Sequence, residues 1–241
     1  MTFGALGDVH GAFEAARRIL ASHPEVPCWL CVGDIADDRG RYEPLGAPVY
    51  WIHGNNDNFD AIAAGDLPRD LRHIENGTAV RVGEGFSPDL TVAGLGGTFA
   101  PTWFDTPAAD LPYPAQFADA RLPARNAGAP RVATAVRDDK RRHFVREEVE
   151  ACARLRNVDV LLTHEAAKPF RAFPGNRGPD AGKAQVNEVL AAMRPRLHLF
   201  GHHHRFSDEI REGVRSVGLD LVSRSYLLVE VPSLDIRLQT L

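Results

Sequence analysis

Four times in 241 residues a glycine precedes side chains that can ligate a metal: Gly7-Asp8-Val9-His10, Gly33-Asp34, Gly54-Asn55-Asn56-Asp57 and Gly201-His202-His203-His204. A fifth candidate, His164, follows the apolar run Val158 to Leu162. Together Asp8, His10, Asp34, Asn55, His164, His202 and His204 offer four imidazoles, two carboxylates and an amide oxygen. That set is too large for one ion and suits two, held a few Å apart by a shared carboxylate. Mixed nitrogen and oxygen donors favour Mn, Fe, Zn, Co or Ni over Ca or an all-protein Mg site. In extended backbone, residues i and i+2 share a side, so Asp8 with His10, and His202 with His204, should each face one centre while Val9 and His203 point away.

These residues need elements that deliver them to one place. Short, nearly continuous apolar runs precede the candidate turns: Phe3 to Leu6, Cys28 to Val32, Val49 to Ile52, Thr91 to Ala93, Val158 to Leu162 and Leu197 to Phe200. Such runs are strands buried on both faces. Helical stretches alternate with some of them, at Ala12 to Ala21, Glu147 to Arg156 and Ala184 to Met193, the last stopped near Pro195. The pattern is α/β, and ligands of open α/β sheets bind at the carboxyl ends of the strands, where glycine lets the chain turn sharply. Asn76-Gly77 suggests a tight hairpin leading into Thr78 to Val82, and Tyr226 to Val231 with Ile236 to Leu238 suggests another.

Composition excludes the less ordinary classes. With 28 Lys+Arg, 32 Asp+Glu and 44% hydrophobic residues, the net charge is −4 and the makeup is that of a globular protein. No run reaches the ~20 apolar residues a spanning helix needs, and MTFGALGDVHG lacks signal-peptide features, so a cytoplasmic location and no membrane partner are expected. Three cysteines fit a reducing compartment. Cys28 and Cys31 form a C-x-x-C, but strand positions i and i+3 face opposite ways, which leaves them as buried strand residues.

One stretch, about 100–136, carries six prolines and no periodicity, and is expected to be an insertion or lid. From Arg121 to Arg146 eight cations face only Asp138 and Asp139, so a local charge of +6 sits on an acidic body and could attract an anion, nucleic acid included. Lys168, Arg171 and Arg177 could contact phosphate, and Trp103 or Phe104 could stack a base or pack beneath the lid. The segment 178–183 (GPDAGK) is one residue short of a P-loop, and no G-x-S-x-G elbow occurs.

The ordered blocks D-x-H (Asp8, His10), G-D-x-x-D (Gly33, Asp34, Asp37), G-N-x-D (Gly54, Asn55, Asp57), His164 and G-H-x-H (Gly201, His202, His204) resemble the calcineurin-like metallophosphoesterases. That resemblance covers residues 7 to 204. It implies a four-layer α-β-β-α sandwich of two mixed β-sheets in a single domain, 1–241, with a dinuclear metal site at the sheet edge. It further implies Asp8, His10, Asp34 and His204 on one metal, Asp34, Asn55, His164 and His202 on the other, Asp34 bridging, and Asp37 supporting from outside. Manganese is the expected metal.

The implied activity is phosphoester hydrolysis on a small or nucleotide-like substrate, by a hydroxide shared between two cations. The commonest pattern of the family has a His, oriented by the next acid, that protonates the leaving oxygen; here Asn56 takes its place and Asp57 is kept. An amide cannot act as a general acid, so diesters or activated esters are favoured over monoesters, unless His53 or His203 substitutes. The alternatives are a nuclease similar to the lariat-debranching branch of the family, and an inactive binding scaffold like the retromer subunit that resembles it.

Overall fold

The computed structural model describes residues 2–82, 90–110, 140–172 and 178–241. Its first sheet has the order β12-β11-β1-β2-β3-β4, formed by β1 (Thr2–Leu6), β2 (Trp29–Cys31), β3 (Val49–Trp51), β4 (Leu71–His73), β11 (Ser225–Glu230) and β12 (Ile236–Thr240). The second has the order β5-β6-β7-β8-β10-β9, formed by β5 (Ala79–Val82), β6 (Leu90–Leu95), β7 (Val160–Thr163), β8 (Leu197–Phe200), β9 (Ser207–Arg211) and β10 (Val214–Gly218). Both sheets are mixed: β1 to β4 run parallel, as do β6, β7, β8 and β10, with antiparallel strands outside.

Alternation along single strands explains the layers. Leu30 faces inward to Val160, Leu162 and Leu199 of the opposing sheet, whereas its neighbours Trp29 and Cys31 face outward to Phe13, Ala16 and Ile19 of α1 (Phe13–Ser22). In the second sheet Leu161 faces outward to Val149 of α4 (Arg146–Arg154) and to Val186 and Leu190 of α5 (Ala184–Met193). A strand buried on both faces must be apolar at every position, which is why the runs look continuous. The result is the expected α-β-β-α sandwich. Cys28 and Cys31 fall in different layers, both buried, and burial pushes the Cys28 thiol up to about 12. No helix among the described residues is long and apolar enough to cross a membrane.

Two local expectations are corrected. Asn76-Gly77 does not close a hairpin, because β4 belongs to the first sheet and β5 to the second. The turn is a crossover: Gly77 takes φ +73°, and the Asn76 side chain bonds the Gly96 backbone in both directions, at 2.6 and 3.3 Å. The 100–136 stretch is also not wholly irregular. Pro101 opens the helical turn α3 (Pro101–Phe104), where its missing N–H costs nothing, after α2 (Phe59–Ala64) earlier in the chain. Phe104 is buried against Phe99 and Phe144. Residues 111–136 lie outside the described residues. The C-terminal pairing is as expected, with β11 and β12 antiparallel.

Candidate metal centre

Five strand ends meet at one edge of the sandwich. Asp8 and His10 follow β1, Asp34 follows β2, Asn55 to Asp57 follow β3, His164 follows β7, and His202 to His204 follow β8. His204 Nε2 lies 3.0 Å from Asp8 Oδ2 and 3.2 Å from His10 Nε2. Asp34 Oδ2 lies 3.6 Å from His10 Nε2 on one side and 3.5 Å from His164 Nε2 on the other. Asn55 Oδ1 is 3.1 Å from His164 Nε2, and the His202 ring packs against that of His164 with centroids 5.0 Å apart.

Convergence does not come about by strand alternation. His10, Asp34, His202 and His204 adopt positive φ, at +45°, +48°, +66° and +47°. The candidate donors themselves turn left-handed, and such strain in non-glycine residues gathers where the surroundings over-determine it. Of the four glycines only Gly33 is left-handed, at +114°. The others make room: a Cβ on Gly54 would sit 2.1 Å from Asp34 Oδ1, and one on Gly201 2.3 Å from Asp8 Oδ1.

Asp57 is the anchor of this arrangement. Its buried carboxylate accepts from the N–H groups of Asp34, Ile35, Ala36 and Gly54 at 2.8 to 3.0 Å, binding the turns after β2 and β3 together. Burial and the nearby Asp34 charge push its pKa up to about 6 despite those donors. Asn56 donates from its backbone and its side chain to the two oxygens of Asp34, at 2.7 and 2.8 Å. Burial would raise the Asp34 carboxyl, but His164 and Asn56 outweigh it and hold it below the usual range. Asp37 serves a different loop: it accepts from the Arg39 and Arg41 N–H groups and pairs with the Arg41 guanidinium at 2.7 Å.

Several observations test whether these residues fit a cation. Asp8 Oδ1 is buried without a hydrogen-bond partner, a costly state for a carboxylate oxygen unless a cation completes it. His164 Nδ1 lies 2.8 Å from the Val32 carbonyl, so with the proton there its Nε2 lone pair faces Asp34 and Asn55. Ligating atoms of Asp8, His10 and His204 lie within 4.8 Å of one another, as do those of Asp8, Asp34 and His164. The donors therefore fit.

The model of the calcineurin-like phosphoesterase family matches residues 1–206. The chain belongs to that family. Membership makes it a phosphoester hydrolase by family, one whose members use a dinuclear divalent metal site. Solved structures show the same fold at low identity. The TT1561 protein of Thermus thermophilus is 16% identical with a TM-score of 0.60, covering 99% of this chain and 98% of that one. A Staphylococcus aureus protein described as a putative 5′-nucleotidase is 13% identical with a TM-score of 0.50, over 99% of this chain and 52% of that one. GAP50 of Plasmodium, an anchor in the inner membrane complex, is 11% identical with a TM-score of 0.50, over 100% and 84%. No curated protein matches the chain.

Beside the centre opens a cavity of about 530 Å³ whose lining includes His10, Asn55, Asn56 and Asp57, but neither His53 nor His203. His203 packs on Phe170, centroids 4.7 Å apart, and faces away as expected. His53 lies against His73, Nδ1 to Nε2 3.3 Å, and burial pushes the two down to about 3 and about 4. Of the expected phosphate contacts, Lys168 pairs through its backbone with Asn187 and the Arg171 guanidinium donates to the Gly178 carbonyl, while Arg177 lies outside the described residues. Within the basic stretch Arg141 pairs with Asp60 at 2.9 Å and Arg146 with Asp105 at 2.7 Å. Sequence reasoning passes over Arg39, which lines the cavity with Arg142. Nothing in composition or motif spacing marks Arg39, since only the fold carries its loop to the site.

Proposed function

We propose that the protein is a dinuclear-metal phosphodiesterase, with Asp8, His10, Asp34 and His204 holding one ion, Asp34, Asn55, His164 and His202 the other, and manganese as the metal used. The observation that carries this is the meeting of seven donors from five strand ends around the unsatisfied Asp8 Oδ1. The role of bridge falls to Asp34 because its Oδ2 stands between His10 and His164. When bound, two such ions supply a hydroxide near neutral pH and neutralise charge on the phosphoryl oxygens.

The remaining work falls to this chain. Asp57 and Asn56 orient Asp34, one through the backbone and one directly. The His164 contact to Val32 fixes its tautomer. Among the described residues no imidazole outside the candidate metal ligands lines the cavity, and Asn56 stands where an acid is expected. A leaving group that departs without a proton is thereby favoured, which supports diesters or activated esters over alkyl monoesters. Asp37 acts at a distance by shaping the 37–41 loop.

The test is hydrolysis of bis(p-nitrophenyl) phosphate in Mn. Asp34→Asn is expected to lose on the order of 1,000-fold in kcat/KM, and the wild type to hold two divalent ions per chain. Undiminished turnover of the variant, or fewer than two ions in a wild type that is inactive, overturns the assignment, the latter in favour of a binding scaffold.

A further inference from the structure

Beside the candidate donors, and not among them, lie a buried carboxylate and a buried imidazole. Glu165 follows His164 at the end of β7, and His203 stands between His202 and His204 after β8. The Glu165 side chain is 2% exposed and that of His203 10%. Glu165 Oε1 is accounted for, since it accepts from the Phe99 N–H at 3.2 Å and faces Lys183 Nζ at 3.6 Å. Its second oxygen is not. Among the described residues Glu165 Oε2 and His203 Nε2 each lack a hydrogen-bond partner, and they lie 3.7 Å from one another.

Two polar atoms that gave up water on burial are more stable paired than apart. A carboxylate and an N–H settle at about 2.7–2.9 Å, so a movement of about 1 Å satisfies both. Glu165 is the fixed member. The Thr163 hydroxyl donates to its carbonyl at 2.5 Å, and the Lys183 N–H donates to the next carbonyl, that of Ala166, at 2.8 Å. His203 cannot move by itself. Its ring packs on Phe170 and on His202, with centroids 4.7 and 4.9 Å apart, and its N–H donates to the Gly201 carbonyl at 2.7 Å. His202 and His204, on either side of it, are both left-handed. A turn so constrained shifts as a unit, and its two outer imidazoles shift with it.

We propose that Glu165 is a positioning residue of the metal centre, acting through a hydrogen bond from His203 Nε2 that sets the β8 turn against the β7 turn in the loaded enzyme. The proposal rests on the dinuclear reading above and adds a link between its two halves, because His164 and His202 belong to one proposed ion and His204 to the other. A single contact thereby fixes three imidazoles. Neither Glu165 nor His203 lines the cavity, so their effect falls on how tightly and in what geometry the ions are held.

Mn binding to chelator-stripped protein, titrated calorimetrically, is the first readout. His203→Phe keeps a ring on Phe170 but removes Nε2, whereas His203→Gln brings an amide N–H to nearly the same place. His203→Phe and Glu165→Met should each weaken Mn binding about tenfold, the double variant no more than the weaker single, and His203→Gln should recover most of the loss. The visible absorption of Co-substituted protein should change in His203→Phe and return in His203→Gln, a signature that packing alone would not move. Because Nε2 is unpaired, the urea midpoint of chelated His203→Phe should match the wild type. If Glu165→Met does not fold, the two His203 variants decide. Unchanged Mn affinity and Co spectrum in His203→Phe, single losses that add in the double variant, or a lowered midpoint with affinity intact overturns the positioning role alone. A wild type that binds no divalent ion overturns the dinuclear reading, and the positioning role with it.

Discussion

The two sheets furnish the two sides of the centre in different ways. On the side of β1, β2 and β3, Asp8, Asp34 and Asp57 are buried, and Asp57 is gripped by four main-chain donors. On the side of β8, His204 is half-exposed and its ring nitrogen meets Asp8 and His10, while among the described residues the adjacent His203 keeps a buried Nε2 with no hydrogen-bond partner. One side is preorganised by the backbone. The other is held by the carboxylates it would share with cations, so its order depends on what is bound.

The sharpest way to break this contrast is at Asp57. Asp57→Asn replaces an acceptor with a donor among converging N–H groups, and is expected to cost about 2–4 kcal/mol of stability, in chelated and metal-loaded protein alike, by urea denaturation. A variant as stable as the wild type would show that the anchor is dispensable.

Acid provides a second comparison, again on the first sheet's side. Burial holds His53 and His73 down, to about 3 and about 4, so they stay neutral in the folded chain while the unfolded chain takes up protons below about 6.5. The unfolded state binds more protons in that window, and stability should fall as pH drops from about 6.5 toward 4. The urea midpoint of chelated protein at pH 7.5 and pH 5 measures this, and the drop should shrink in His73→Gln.

The smallest effect on stability is expected across the site. His204→Gln should leave chelated protein within about 0.5 kcal/mol of the wild type, because the ring packs little, yet weaken metal binding 10- to 100-fold by calorimetry. A large loss of apo stability would place the β8 turn among the preorganised elements instead.

Much of the fold was legible because its strands are buried on both faces, so that Trp29, Leu30 and Cys31 form one apolar run. The Asn76-Gly77 turn was misjudged because its left-handed geometry is local while the sheet each flanking strand joins is not. The seven candidate donors were legible for a similar reason: glycine beside a donor type at a strand end is a short-range signal. The geometry behind them was not, as His10, Asp34, His202 and His204 themselves turn left-handed, and of the four glycines only Gly33 does.

From sequence alone came the candidate donors, their order along the chain, the family they resemble and the amide at Asn56, all properties carried by single residues and their immediate neighbours. Tertiary structure alone brought Asp8 against the His202 N–H across 194 positions, made Asp57 the clasp between two turns, and set Arg39 and Arg142 on one wall. Long-range strand pairing decides such meetings, and no local preference of the chain encodes where two distant turns will touch.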